Sequence, residues 1–421
     1  MTAPALTVPQ RRGACPGLSA PMPTGDGLLV RLLPVGTIGL GALRELCAAA
    51  QRYGNGIVEI TSRGSIQIRG LSAVSAPRFA STIAALGIAV GDGIPVLSNP
   101  LAGLDPDELI DAGALAAEVR HALAHSGLAQ RLFAKISVTI DGGAALSLDR
   151  LAADVRLRAE ASDSGATFAV SIGGDGASAS ELGFIAPHDS GAAVVRLLET
   201  LARHGRDMRA RDVVVKHGAA VFRAAIADLV VNGSGERPPR PSGDPIGVHR
   251  LHDGSVACGT GPAFGHADAN SLRRLAEAAT AAGANGVRTA PGRALLIIGL
   301  APQSAPSVLA AAEALGFIIH PDDPRRRVIA CAGAPICASA NIAARAIAPL
   351  VAEIAAPFEV HISGCAKGCA HPAPAALTVV GTPQGCSLIV NGTTTGAPLK
   401  LVASNELPAT VAELADGGRD V

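Results

Sequence analysis

The sequence predicts an α+β fold built from two similar halves. Two segments of the chain resemble each other, and each combines a helical pattern with short strand patterns. A stretch rich in Pro, Gly and Ser at residues 232–245 separates them and is typical of a linker. At 421 residues the chain is long enough for about two to four compact units.

The repeat lies in residues 41–69 and 271–299. Each copy begins with four small or apolar residues at helical spacing and continues with an Asn-Gly step and strand patterns. An offset of 230 residues superposes the two Asn-Gly steps and places Arg63 on Arg293. The helical positions are Leu43, Leu46, Cys47 and Ala50 in the first copy and Leu272, Leu275, Ala276 and Ala279 in the second.

A longer stretch of mixed helix and strand patterns follows each repeat. We therefore expect two pseudo-symmetric halves, each with a small repeat and a larger α+β unit. The predicted units are a first repeat at residues 20–85, a first larger unit at 95–231, the linker at 232–245, a second repeat at 246–305 and a second larger unit at 322–412.

Composition excludes several classes of protein. The 35 basic and 35 acidic residues balance, which argues against a nucleic-acid partner. The N-terminus lacks the apolar core of a secretory signal, and the apolar runs are too short to span a bilayer. We therefore expect a cytoplasmic protein without a membrane partner. Because the cytoplasm is reducing, its eight cysteines are not expected to form a disulfide framework.

Four cysteines form the strongest motif. Cys331 and Cys337 are separated by five residues, and Cys365 and Cys369 by three. Two local pairs of thiolates give the number of ligands that a [4Fe–4S] cluster needs. Zinc is the rival metal, but structural zinc sites favour gaps of two to four residues between paired cysteines. Lys367, inside the second pair, adds positive charge beside the thiolates.

The segment from Thr61 to Arg69 predicts an anion-binding face. In an extended strand Arg63, Ser65, Gln67 and Arg69 lie on one side. Guanidinium groups form strong paired hydrogen bonds with carboxylates, so this face would suit a ligand with many acid side chains. Arg31 precedes the first repeat's helix and is expected to join the face. The second copy would keep one arginine on the matching face, which reads Arg293, Leu295, Ile297 and Gly299.

These motifs resemble a known superfamily. The two cysteine pairs, the Thr-Ser-Arg-x3-Gln strand and the duplicated halves are similar to the sirohaem-dependent nitrite and sulfite reductases. Within that superfamily, four further segments resemble the precorrin-3B synthase branch of aerobic cobalamin biosynthesis. They are Arg11-Arg-Gly-Ala-Cys-Pro16, Thr24-Gly-Asp-Gly-Leu-Leu-Val-Arg31, Tyr53-Gly-Asn-Gly56 and His361-x-Ser-Gly-Cys-Ala-Lys-Gly-Cys-Ala-His-Pro372.

The resemblance implies a nitrite/sulfite reductase-like fold with ferredoxin-like repeats and a monooxygenase activity. The expected reaction is O2-dependent hydroxylation of the tetrapyrrole precorrin-3A at C20, with a ring-A acetate closing a γ-lactone. Electrons would come from a donor that the sequence does not identify. The resemblance also associates the chain with a [4Fe–4S] cluster and a mononuclear non-haem iron. Neither catalytic residues nor ligands of a mononuclear iron are identified by the sequence, although His266-x-Asp268 has a suggestive spacing.

Two other functions stay open. The first is a sirohaem-dependent nitrite or sulfite reductase, in which Cys369 would bridge the cluster to the sirohaem iron. That branch carries a Lys-x-Lys pair where this chain has Lys135 and Ser137, so one cation is missing. Lys135 could still contact a substrate carboxylate. The second is a non-enzymatic iron–sulfur redox sensor, which would bind a partner without turnover.

Overall fold

The structure is a computed structural model that describes residues 16–162, 165–231, 240, 242–354, 358–371 and 373–417. These residues form four sheets with flanking helices. Residues 11–15 of the first N-terminal motif, most of the predicted linker and Pro372 lie outside the described residues. Within the described part, we find no helix with the length and apolarity needed to cross a membrane.

The first unit is a sheet with two helices on one face. Helix α1 buries Leu43, Leu46, Cys47 and Ala50, the spacing that places side chains on one helical face. These residues pack on Val30 and Ile68 of the sheet. The elements are β1 (Met22–Thr24), β2 (Gly27–Leu32), α1 (Leu40–Tyr53), β3 (Ile57–Ile60), β4 (Ile66–Leu71) and α2 (Ser75–Ala85).

The second unit is a six-stranded mixed sheet. Its strand order is β10-β9-β8-β7-β6-β5, with β5, β6 and β7 parallel and the others antiparallel. The elements are β5 (Val96–Ser98), α3 (Ala112–Ala124), β6 (Val138–Asp141), β7 (Ala153–Ser162), β8 (Gly165–Gly174), β9 (Ser180–Ile185), α4 (Ser190–Arg203), α5 (Ala210–His217), α6 (Ala220–Ala225) and β10 (Val230–Val231).

The third unit repeats the first. Its helices share one apolar core with the helices of the first unit, and α1 packs directly on α7. The elements are β11 (Gly247–Arg250), β12 (Val256–Thr260), β13 (His266–Asp268), α7 (Ala269–Ala281), β14 (Gly286–Ala290), β15 (Ala294–Leu300) and α8 (Ala305–Ala314).

The fourth unit repeats the strand directions of the second. β16, β17 and β18 are parallel, and β19 and β20 are antiparallel to their neighbours. The predicted α+β architecture in two pseudo-symmetric halves is therefore confirmed. The elements are β16 (Val328–Ala330), α9 (Ala344–Ala352), β17 (Val360–Ser363), β18 (Ala375–Thr382), β19 (Gly385–Gly392), β20 (Lys400–Val402) and α10 (Leu407–Gly417).

A segment of each half pairs with an edge strand of the other half. Ile38, from the connection after β2, pairs with Val287 of β14, and their backbones exchange hydrogen bonds of 2.8 and 2.9 Å. Ala267 of β13 pairs in the same way with Val58 of β3. β13 thus belongs to the sheet of the first half, and its residues contribute to that half's polar face.

The helices and strands of the two halves match at an offset of 229 residues, whereas the sequence comparison used 230. α1 begins at Leu40 and α7 at Ala269. The reciprocal pairs at Ile38 and Ala267 keep the same offset. The Asn-Gly steps lie at the junction between helix and strand, where the exposed Asn55 and Asn285 are one residue further apart than the matching helices and strands.

The one-residue difference exchanges the faces of the second hairpin, because alternate residues of a strand face opposite sides. Leu295 and Ile297 lie in the helical core, as Ile66 and Ile68 do. The predicted counterpart of the polar face, Arg293, Leu295, Ile297 and Gly299, was therefore wrong. The residues that correspond to Gln67 and Arg69 are Leu296 and Ile298, which lie in a separate apolar cluster.

Gly70→Ala should destabilise the protein more than Gly87→Ala. Both glycines have positive φ, +72° and +66°, so each alanine introduces left-handed strain of about 1–2 kcal/mol. Only at Gly70 would the new Cβ lie 2.6 Å from the Cβ of Asn55, which should add about 1–3 kcal/mol. Urea unfolding of both variants measures the difference, and equal losses of stability would contradict this packing.

Candidate functional site

The fourth sheet brings the two cysteine pairs together. Cys331 follows β16 and Cys365 follows β17, and these neighbouring strands are parallel, so both loops leave the same edge. The backbone N–H of Gly364 donates a hydrogen bond of 3.0 Å to the Sγ of Cys331. Cys337 and Cys369 lie further along the same two loops, and none of the four thiols forms a disulfide.

The four thiols share one pocket and influence one another. Burial raises the pKa of Cys369, Arg69 lowers it, and the negative charges of the other three cysteines raise it further. Burial also raises the pKa of Cys331, which the N–H groups of Gly364 and Gly333 lower. Backbone donors and one arginine therefore offset part of the effect of burial, although the pKa of Cys331 and that of Cys369 stay above the ordinary value.

The backbone of the first unit closes the pocket. Gly25 lies so near the Sγ of Cys337 that any side chain at residue 25 would collide with the sulfur. The carbonyl of Gly25 also accepts a 2.9 Å hydrogen bond from the N–H of Ala338. The pocket is therefore built between the first and fourth units.

The donor set fits a multi-iron cluster. Among the described residues, no three His, Cys, Asp or Glu side chains converge closely enough to hold a single metal ion. Four thiols whose charges act on one another supply the number of ligands that a cubane needs. The same finding gives no ligand set for a mononuclear iron. Asp268 instead caps α7 by accepting hydrogen bonds from Asn270 and Ser271, so we derive no step through such an iron.

A row of polar side chains crosses four strands of the first sheet. Arg31 on β2, Gln67 on β4, Glu59 on β3 and His266 on β13 lie directly opposite one another in turn. Arg31 donates to the Oε1 of Gln67 at 2.7 and 3.1 Å, and Gln67 donates to Glu59 at 2.8 Å. The sequence predicted Arg31 and Gln67 on this face but did not single out Glu59.

Arg69 is held by two carboxylates. Its Nε and Nη2 donate to the two oxygens of Asp26, each at 2.8 Å, and Nη1 lies 3.5 Å from Glu59. Burial alone would lower the pKa of Arg69, but Asp26 and Glu59 raise it above its ordinary value, and Cys369 adds to that effect. The predicted substrate role is corrected in part, since the edge of Arg69 that would bind a carboxylate is engaged by Asp26.

Arg63 lies on a turn and not on the strand, which begins at Ile66. Gly64 has φ +80° in this turn, so the alternation predicted from Arg63 to Arg69 holds only from Ser65 onward. Arg63 reaches the second unit, where it donates to the carbonyl of Ala152 at 2.8 Å and to the hydroxyl of Ser137 at 3.1 Å.

Two predicted cations lie at the margin of the site. Lys135 is exposed and lies two residues before Ser137, whose hydroxyl accepts a hydrogen bond from Arg63. Lys367 is exposed in the loop between Cys365 and Cys369, and its Nζ donates to the hydroxyl of Ser339 at 3.1 Å.

Arg293 occupies the hairpin turn of the second repeat with φ +64°. Burial lowers its pKa, and the nearby carboxylates of Glu359 and Glu59 act in the opposite direction. Its Cδ would lie 2.8 Å from a Cβ on Gly265. Arg293 therefore comes near the polar row through Glu59 and does not belong to a matching face of its own.

Two buried histidines accompany the site. Neither His266, 8% exposed, nor His361, 0% exposed, has a ring nitrogen hydrogen-bonded to any described group. Burial lowers the pKa of each to about 4. The ring centroid of His361 lies 5.6 Å from that of His371. Both histidines are therefore neutral near pH 7. The spacing of His266 and Asp268 had suggested an iron ligand, whereas no specific role was predicted for His361.

Comparison with known proteins identifies the family. A model described as the nitrite/sulfite reductase ferredoxin-like half domain matches residues 20–86. A precorrin-3B synthase from Sinorhizobium sp is 40% identical over 411 residues, covering 96% of this chain and 88% of that protein. The chain belongs to the precorrin-3B synthase family. As such it is an oxidoreductase.

Reductases are more distant relatives of this precorrin-3B synthase family member. A ferredoxin–nitrite reductase from Synechococcus elongatus is 25% identical, with 83% of this chain and 75% of the reductase covered. The solved structure of the NirA protein from Mycobacterium tuberculosis superposes with a TM-score of 0.72 at 20% identity, over 92% of this chain and 80% of that chain. The nitrite/sulfite reductase-like fold is confirmed.

Asp26→Asn should destabilise the protein strongly, because it leaves the buried guanidinium of Arg69 with only the weaker contact to Glu59. We expect a loss of about 3 kcal/mol in the free energy of unfolding, the lower end for breaking a buried pair. Asp228→Asn, which breaks an exposed pair with Arg196, is the control and should leave the urea midpoint unchanged. A similar midpoint for both variants would argue against a structural role for the Asp26–Arg69 pair.

Proposed function

We propose that this protein acts as a precorrin-3B synthase in aerobic cobalamin biosynthesis. It would use O2 and a reductant to hydroxylate precorrin-3A at C20, with the ring-A acetate closing a γ-lactone. The observation that carries this proposal is the 40% identity to a precorrin-3B synthase over 96% of the chain. The absence of the second lysine of the reductases, where this chain has Ser137, also supports it.

We further propose that Cys331, Cys337, Cys365 and Cys369 hold a [4Fe–4S] cluster. When bound, the cluster would pass single electrons from the unidentified donor toward the substrate. The Gly364 N–H, which donates to Cys331, and the Arg69 charge beside Cys369 would offset the negative charge of the thiolates. Asp26 holds Arg69 in that position.

The substrate carboxylates would bind along the polar row and its margin. Arg31 and Gln67 form the centre of this surface, and Glu59 fixes the amide of Gln67 so that its oxygen accepts from Arg31. Tetrapyrrole precursors carry acetate and propionate groups around the ring, so cations around a pocket can grip several acids at once. The cations Arg63, Lys135 and Lys367 would bind further substrate carboxylates at the margin. Arg69 and Arg293 would act mainly by positioning, because their partners are protein carboxylates.

The rival function is a sirohaem-dependent reductase. The distant similarity to ferredoxin–nitrite reductase over 83% of the chain is the observation that favours it. Absorption spectra of protein purified without oxygen distinguish the two functions. Bound sirohaem gives intense macrocycle bands, whereas a cluster alone gives a broad shoulder.

Incubation of the anaerobically purified protein with precorrin-3A, reductant and O2 should yield a product heavier by one oxygen atom. With 18O2 the added atom should carry the label, because a monooxygenase takes it from molecular oxygen. Mass spectrometry of the product provides the test. Recovery of unchanged precorrin-3A from protein with a full cluster would overturn the proposed reaction.

Cys369→Ser should abolish the intact cluster, because a cubane needs four thiolates. Cys386→Ser is the matched control, since Cys386 lies in the same unit, buried beside Ser404 and outside the pocket. Iron and sulfide analysis of both variants checks this. A full [4Fe–4S] complement in Cys369→Ser would rule out the proposed ligand set.

Arg31→Ala should weaken precorrin-3A binding by roughly ten- to a hundredfold, the cost of about 1.5–3 kcal/mol for a charge-assisted hydrogen bond. The cluster should be retained, because Arg31 is not among its proposed ligands. Arg52→Ala, on the exposed end of α1 over Tyr53, is the control and should bind normally. Anaerobic titration gives the dissociation constants, and equal values would remove Arg31 from the site.

A further inference from the structure

A second cavity lies away from the cysteine pocket. It measures about 360 Å³ and is bordered by the connection after β2, the Arg63–Gly64 turn, β5, the loop and first turn around α3, and the end of β14. None of the four cysteines and neither Arg31 nor Gln67 lines it. Polar and apolar groups contribute about equally to its wall, which suits a small molecule with a polar head.

Two arginines in its wall lack a counter-ion. Arg288 donates to the hydroxyl of Thr37 at 3.0 Å and to the carbonyl of Ala102 at 2.8 Å, and Arg120 donates to the carbonyl of Val96 at 3.1 Å. Within the described part of the chain, no carboxylate lies within ion-pair distance of either guanidinium. Burial lowers the pKa of both arginines. Both guanidinium groups are partly buried, and Glu108 and Asp111 act on the charge of Arg288 without contacting it. Each guanidinium is therefore able to bind an anion directly.

The remaining charges in the wall leave a positive excess. Arg63 is a third guanidinium there, and Asp111 is the one acidic residue among the lining residues. The Oδ1 of Asp111 already accepts hydrogen bonds from the N–H groups of Gly113 and Ala114 as the cap of α3. Asp111 is therefore engaged by the end of α3, and the three arginines outnumber it in the wall of the cavity.

The repeat explains why the space is open. At the structural offset of 229, Gly64 corresponds to Arg293 and Gly36 to Gly265. In the second half the side chain of Arg293 covers Gly265, whose Cβ would lie 2.8 Å from its Cδ. In the first half a Cβ on Gly36 would meet nothing within 4 Å. A glycine at residue 64 leaves unfilled the volume that an arginine side chain occupies in the other half.

We propose that this cavity is a second ligand site, bordered on one side by Arg63 of the tetrapyrrole surface, and that it binds a small molecule with a compact oxyanion head, a carboxylate or a phosphate. Arg120 and Arg288 would bind the head, and the apolar wall would cover the rest of the ligand. Charge-assisted hydrogen bonds to two guanidinium groups would give such a ligand its orientation.

Isothermal titration of the cluster-loaded full chain with succinate and with inorganic phosphate tests this site. We expect saturable binding of at least one of them, and the one that binds identifies the head group. Arg120→Gln should weaken that binding at least tenfold. Arg78→Gln, on the exposed face of α2, and Arg31→Ala, on the tetrapyrrole surface, should leave it unchanged.

A second variant covers the case in which Arg120→Gln fails to fold. Ala114→Phe places a ring in the cavity from an exposed helical position without touching an arginine, and it should also block binding. Absence of saturable binding to the parent protein would overturn the proposal. So would binding that survives in the folded variants or that is lost in Arg31→Ala.

Discussion

The site depends on a buried ion pair between Arg69 and Asp26. Thiolates in a protein interior need nearby positive charge or backbone donors, and Arg69 supplies a charge beside Cys369. A buried guanidinium is itself costly unless it is paired, and Asp26 pairs it with two hydrogen bonds. The pair joins the strand face to the cysteine pocket, so the same charges that stabilise the first sheet also act on Cys369.

The pseudo-symmetric halves keep only one such surface. The residues that correspond to Gln67 and Arg69 are Leu296 and Ile298, which pack against Leu101 and Leu146 from the second unit. Asn99 follows β5 as Cys331 follows β16. The second unit therefore has at this point a hydrogen bond from Asn99 to Asp141 instead of a cysteine. The two halves therefore differ in chemistry. Where the first repeat has a polar face, the second repeat has an apolar core. Where the fourth unit has a cysteine loop, the second unit has a polar network.

Much of this could be predicted from sequence, because spacing carries the information. The two cysteine pairs and the two repeats are local patterns in the sequence. The parallel strands β16 and β17 bring the two cysteine pairs together. The register of the second repeat was misread, because the Asn-Gly steps suggested an offset of 230 whereas the apolar helical positions, such as Leu43 and Leu272, already follow 229. Asp26 and Glu59 could not be found either, since acidic residues next to or within strands usually face solvent. Only the three-dimensional pairing with Arg69 shows them buried.

Ser137 shows how one replacement redirects a neighbouring cation. Its hydroxyl accepts a hydrogen bond from Arg63, which holds the guanidinium against the second unit. A lysine at residue 137 would present an ammonium group to that guanidinium, and two like charges at this distance repel each other. The serine therefore allows Arg63 to extend across the boundary between the units. The proposed tetrapyrrole surface therefore uses Arg63 at this boundary, where the Lys-x-Lys pair of the reductases would place a second lysine.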